Sequence, residues 1–337
     1  MGTERRSNII GGEEVFNRQE LEQKTLDSIK LFLELGLNFF DTAWSFECYS
    51  APSHSFTGSL CRGTSSETIL GYATSRYGRN KFILATKFHL EADDEVRSAS
   101  SKSLPADHQI SSNQIFQRTE SYDNQSISGH YSMVDKFIRR QLMASLKSLG
   151  TDFIDLYYMQ TTDSLGETMI VEVMHCLKSL VLEKKIHYIG LSVNSADTIR
   201  KAHAIYPVTA VFADYSFQYR NIEIDVLSTC RELGIGIVAR HPYGEGPNSS
   251  DRLLWRGSDA RASTDKKVKK STSQLIDLAF EKKCTPNQLA LGWLHAQGID
   301  IFPLIETNAT EKITEAFHAL KIHLYGTDVE EIGTLRL

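Results

Sequence analysis

Six side chains combine residue types and positions suited to acid–base chemistry: Asp41, Lys87, Gln160, Ser192, Arg240 and Glu306. Each stands at or just past the end of a short apolar run that reads as a strand. An Asp and a Lys delivered from neighbouring strands can pair, and each then favours the charged form of the other. Asp41 and Lys87 are such a pair. They either fix two strands together as a plain ion pair, or serve as acid and base on a ligand in redox-neutral chemistry.

The elements that must position these groups form a repeating series. The stretch LFLELGLNFFDT (31–42) reads as a helix ending at Gly36, a buried strand over Leu37–Phe40, and then Asp41. That strand is apolar on both faces, as in a parallel sheet covered by helices. Further strands are expected at Lys81–Thr86, Phe153–Met159, Ile186–Leu191, Ala210–Ala213, Ile235–Ala239 and Ile299–Leu304, with a weak first one at Asn8–Ile10. Helical periods lie between them: Arg18–Leu35, Ser66–Tyr77, Met133–Leu149, Thr168–Lys184, Ser195–Ile205, Ile222–Leu233, 272–283 and Pro286–Ala296. Two more, Thr310–Leu320 and Thr327–Leu337, end the chain. Eight β/α units without a dividing linker predict one (β/α)8 barrel, an α/β fold of a single domain over 1–337. No Gly-x-Gly-x-x-Gly follows any strand, which argues against an open dinucleotide-binding sheet. Two irregular insertions interrupt the series, at 43–65 and 88–130. The second is rich in Ser, Asp, Asn and Gln and reads as disordered by composition. The Lys266–Lys270 run reads as a solvated lead-in to a helix.

Composition narrows the classes of function. The 337 residues are 41% hydrophobic and 23% charged with a net charge of −5, which gives no electrostatic case for nucleic acid or an anionic membrane. No apolar run reaches the ~18 residues that span a bilayer, and the N-terminus lacks the apolar core of a secretory signal. Five scattered cysteines without CxxC spacing read as reduced thiols, three of them on helices. A cytoplasmic protein without a metal site is expected.

Several segments carry a specific resemblance: FFDTA (39–43), ILATKF (83–88), LKSLGTDFIDLYYM (146–159), KIHYIGLS (185–192) and CRELGIGIVA (230–239). In this order, over roughly residues 20–320, the chain resembles the aldo-keto reductase superfamily, and most of all its plant and fungal aryl-alcohol and alkaloid reductases. The resemblance implies a barrel that binds NADP(H) in extended form and reduces a small-molecule carbonyl, or oxidises an alcohol, at the mouth. It also implies four catalytic side chains: a Tyr proton donor, a Lys paired with an Asp that lowers the Tyr pKa, and a His that orients the carbonyl. Asp41 and Lys87 fall on the Asp and Lys positions. Phe46 stands where the Tyr should be, and Gln160 stands at the His position. Phe has no proton to give, whereas the Gln amide still donates a hydrogen bond. Tyr49, three residues beyond Phe46 in a loop longer than the family's, is the substitute donor the resemblance suggests; the bland alternative is a loop aromatic. His241 also lies near the mouth, but the resemblance gives it no role.

Around the cofactor the resemblance places Ser192 against the nicotinamide amide, with Val193 in place of an Asn and Phe212 in place of a Gln. Arg240 occupies the position of the aromatic that stacks on the nicotinamide ring. Thr307 and Asn308 fall in the phosphate cradle, where the family's Lys is missing and Glu306 adds an anion. Two readings stand beside each other. In one the chain is an NADP(H)-linked oxidoreductase using Asp41, Lys87, Gln160 and Tyr49. In the other it has lost redox turnover and acts as a binding or regulatory subunit with a protein partner.

Overall fold

The computed structural model describes residues 18–43, 66–90, 133–160, 167–193, 195–244 and 266–335. The chain alternates helices with parallel strands: α1 (Arg18–Glu34), β1 (Phe39–Asp41), α2 (Ser66–Tyr77), β2 (Ile83–His89), α3 (Met133–Leu149), β3 (Ile154–Gln160), α4 (Glu167–Leu182) and β4 (Ile186–Ser192). It continues with α5 (Ala196–Ile205), β5 (Val208–Asp214), α6 (Val226–Leu233), β6 (Gly236–Arg240), α7 (Lys266–Glu281), α8 (Pro286–Gln297), β7 (Ile301–Pro303), α9 (Thr310–Ala319) and α10 (Gly326–Thr334). Each strand pairs in parallel with the next, giving one seven-stranded sheet in the order β1 to β7. This curled sheet ringed by helices is a (β/α)8 barrel fold, and the expected first strand at Asn8–Ile10 lies outside the described residues.

Local chemistry accounts for the boundaries. Ser195 caps α5 by accepting from the Thr198 N–H. Thr285 and Gln288 form a reciprocal capping box at α8, with Pro286 at the first helical position. Gly234, at φ 69°, ends α6 in the left-handed conformation that glycine adopts without strain.

Period-two alternation sorts each strand into two faces. One face (Leu84, Phe88, Tyr157, Met159, Ile189, Leu191, Val211, Ile237) packs under the helices in the main core. The other (Ala85, Leu156, Tyr158, Ala210, Phe212, Val238, with Phe39 and Leu304) fills the barrel interior. Gly190 makes room there, since a Cβ at that position would come within 2.3 Å of the Tyr158 ring.

The helical ring closes across the two ends of the sheet. Ser28 Oγ on α1 donates to the Asn308 carbonyl, just before α9, at 2.7 Å. Among the described residues the outer edges of β1 and β7 have no strand between them. A cavity of about 1590 Å³ lies there, lined by 36–43 and 303–308 and reaching Lys87 and His241. None of the described helices is long and apolar enough to cross a membrane.

Some expectations need correction. β2 runs on to His89, so Lys87 is inside the strand and the second insertion begins later than residue 88. The last strand is only Ile301–Pro303, because the residues before it form a turn closed by the Ile301 N–H on the Gly298 carbonyl at 3.3 Å. The helix expected over 222–233 is split into a 3-10 turn at Asn221–Glu223 and then α6. The Lys266–Lys270 run forms the first turns of α7 rather than leading into it. Cys176 and Cys230 lie on helices, while Cys284 falls past the end of α7.

Candidate active site

Parallel register brings the sequence-marked side chains to one end of the barrel. Asp41 is level with Ala85 and Lys87 with Tyr158, while Gln160 is level with Ser192 and Asp214 with Arg240. Because side chains alternate, Lys87 faces the interior one step above Ala85, beside Asp41. Asp41, Gln160, Ser192, Asp214 and Arg240 end their strands and Lys87 stands two residues before the end of β2, on the side where a barrel of this kind carries its chemistry.

The first cluster is the Asp41–Lys87 pair. Lys87 Nζ donates to Asp41 Oδ1 and to the Thr42 carbonyl at 3.1 Å. The Asp41 side chain is only 3% exposed and that of Lys87 12%. Burial pushes the Asp41 carboxyl above the ordinary range; Lys87 pulls it down by charge and hydrogen bond but does not cancel the rise, and Glu306 adds to it. Among the described residues Asp41 Oδ2 is buried without a hydrogen-bond partner. Two rings wall the ammonium, with Phe212 centred 4.6 Å from Nζ and Tyr158 at 5.8 Å. The Thr42 and Ser66 hydroxyls meet at 2.7 Å and tie the end of β1 to the start of α2.

The second cluster has a member the sequence reading missed. Arg240 grips Asp214 with both arms of its fork, Nε to Oδ1 at 2.5 Å and Nη2 to Oδ2 at 2.9 Å. His241 Nδ1 approaches Asp214 Oδ1 at 2.9 Å. The approach is off the N–H axis, so it is a close charge contact rather than a straight hydrogen bond. Partial burial works against the Asp214 charge, but the contact with His241 and the bonds and charge of Arg240 outweigh it and hold the carboxyl below its usual range. Asp214 therefore neutralises the positive charge that Arg240 brings to the mouth. The Arg240 guanidinium also lies 5.7 Å from the Phe212 ring centre, so Phe212 separates the two clusters. A signal for Asp214 existed in the sequence. It is a carboxylate directly after an apolar strand, as Asp41 is.

The remaining expected groups divide. Gln160 and Ser192 are brought together as neighbours at the ends of β3 and β4. Thr307 Oγ1 accepts from the Ala309 N–H at 3.1 Å, and the Asn308 carbonyl accepts from Ser28, so both residues help build the turn into α9. Ala309 gives α9 no side-chain cap. Phe46 and Tyr49 lie outside the described residues. Among the described residues no three His, Cys, Asp or Glu side chains gather as metal ligands.

Comparison with known proteins agrees with this architecture. The model of the Aldo/keto reductase family matches residues 9–336. A protein of Glycine max described as probable aldo-keto reductase 1 is 32% identical over 329 residues, covering 94% of this chain and 80% of that one. An aldo/keto reductase of Klebsiella pneumoniae, solved in complex with NADP and acetate, superposes with a TM-score of 0.63 at 18% identity, over 94% of this chain and 86% of that one. The thermostable aldo-keto reductase Tm1743, solved with the inhibitor epalrestat, gives a TM-score of 0.64 at 18% identity, over 94% and 88%. At such identities the structures speak to the fold alone. The full-length family match and the 32% relative go further, and the chain belongs to the aldo/keto reductase family.

Proposed function

We propose that the protein is an NADP(H)-linked oxidoreductase that reduces a small aldehyde or ketone, or oxidises the matching alcohol, in the cytoplasm. The observation that carries this reading is the buried Asp41–Lys87 pair at the strand ends, walled by the Phe212 and Tyr158 rings.

Part of the lining suits a dinucleotide, although the cradle Lys that the resemblance implies is missing and Glu306 adds an anion. The Arg240–Asp214 fork is a flat, charge-balanced surface that offers a planar face where a ring could lie. Ser192 stands close by on the neighbouring strand end to Gln160 and would hold the nicotinamide amide. Thr307 and Asn308, with the N-terminus of α9 that no side chain caps, would hold phosphate. When bound, such a group supplies a hydride.

The chain's own residues do the rest. Lys87, held by Asp41, puts a positive charge where the carbonyl oxygen becomes negative. Gln160 offers an amide N–H to the same oxygen. Phe212 and Tyr158 exclude water around the ammonium, which strengthens its field.

Titration with NADPH, followed by quenching of protein fluorescence, and an assay on aromatic aldehydes test the reading. Saturable binding is expected, with turnover that falls by ~10²-fold or more in Lys87→Met. One observation favours a second reading: Arg240, bound to Asp214, replaces the stacking aromatic that the family resemblance implies. NADPH binding without turnover on any carbonyl would point to a binding or regulatory subunit. No binding at all would leave Asp41 and Lys87 as a redox-neutral acid–base pair.

A further inference from the structure

We propose that His241 is the proton donor of this reaction and that Asp214 is the residue that positions it; the proposal rests on the reading of the mouth given above. The imidazole lines the same cavity as Asp41 and Lys87. Its Nδ1 is buried against Asp214, while the side chain as a whole is 27% exposed, so the part of the ring that a ligand reaches is away from Asp214. A carboxylate 2.9 Å from Nδ1 favours the tautomer that carries its proton there and leaves the Nε2 edge of the ring to face away from it. Asp214 is itself anchored by two bonds from Arg240, so the pair has a rigid base.

The backbone supports the same assignment. His241 has φ 52°, in the left-handed region. Among the described residues two other non-glycine positions share a positive φ, Lys184 and Lys283, and both close helices, where that conformation is ordinary. His241 instead directly follows a strand, and its carbonyl is held by the Gly244 N–H at 2.8 Å. Backbone strain kept at the mouth of a site is a mark of a side chain aimed for a purpose.

The charged groups that meet the ring or line its cavity come from five elements: Asp214 on β5, Arg240 at the end of β6, Lys87 on β2, Asp41 on β1, and Glu306 after β7. A bound reduced nicotinamide would supply the hydride to the carbonyl carbon as the carbonyl π pair moves to oxygen. The His241 Nε2–H bond breaks and that proton joins the oxygen. An alcohol, oxidised nicotinamide and neutral imidazole remain, and water restores the proton.

The test uses the full chain, NADPH and an aromatic aldehyde that the wild type reduces. His241→Asn is the variant of choice, because Asn tolerates the left-handed backbone and its amide cannot supply a proton. The expected result is a fall in kcat of ~10²–10⁴-fold, with NADPH affinity and melting temperature unchanged. Asp214→Asn should lower kcat less, and Asp214→Glu should recover part of the loss. Imidazole nitrogen NMR gives a readout apart from turnover: Nδ1 should carry the proton in the neutral wild type and lose that preference in Asp214→Asn. Full kcat in His241→Asn would overturn the assignment, as would loss of turnover in Tyr49→Phe alone. Failure of the wild type to bind NADPH would instead sink the dinucleotide reading, and this proposal with it.

Discussion

Two carboxylates at the barrel mouth respond to their surroundings in opposite ways. Asp41 is buried deeply enough that desolvation wins over its bond to Lys87, and its pKa is raised. Asp214 is half-exposed, and the neighbouring His241 and Arg240 hold its pKa down. The linkage signs follow. A carboxyl raised on folding contributes stability below the ordinary carboxylate range and loses it as pH climbs through the folded-state value. A carboxyl that folding depresses contributes stability above that range and loses it as pH falls. Asp214→Asn should therefore cost stability at neutral pH, about 1 kcal/mol or less for a pair so accessible to solvent. The difference should disappear in acid. Urea unfolding of both proteins at neutral and acid pH checks this, and a penalty that grows in acid would contradict the geometry. Neither direction could be read from residue type, since both are Asp at a strand end.

The inner face of the sheet is set by steric fit between neighbouring strands. Tyr158 lies across the interior only because β4 offers Gly190 at the facing position, where an added Cβ would sit 2.3 Å from the ring. Gly190→Ala should destabilise by about 1–3 kcal/mol through overpacking. It should also reduce turnover, because Tyr158 walls the Lys87 ammonium. Tyr158→Leu in the same chain should return much of the stability, and thermal melts of the single and double variants decide it. Behind β2, Glu67 shows how much an element can hide. It is buried on α2, accepts from the Thr86 hydroxyl at 2.9 Å, and burial raises its pKa despite that hydrogen bond. The helical period of 66–77 was legible in the sequence. The partner of its inward carboxyl was not, since Thr86 comes from a separate element.

At the scale of the whole molecule, the sheet is ordered as the chain is, and the helical layer closes where α1 meets the turn into α9. The Ser28–Asn308 hydrogen bond joins positions 280 residues apart. Ser28→Ala should cost about 0.5–1.5 kcal/mol. Hydrogen exchange should speed up in α1 and α9 more than in α4 or α5, which lie farther round the ring. Equal change everywhere would mean that the seam does not unfold separately from the rest.

The repeat of strand and helix, with a polar group after nearly every strand, was written in the sequence. A barrel with Asp41 and Lys87 at its mouth followed from it, since periodicity and strand-end placement are local properties. Boundaries slipped where a tight turn intervened, as at Gly298–Ile301, where the Ile301 N–H bonds the Gly298 carbonyl and β7 starts late. Only the folded chain decided that Arg240 is neutralised, that Asp214 rather than any predicted residue neutralises it, and that His241 turns toward the same carboxylate. Charge balance and pKa depend on what lies within a few ångströms, and register across β5 and β6 sets those neighbours, not spacing along the chain.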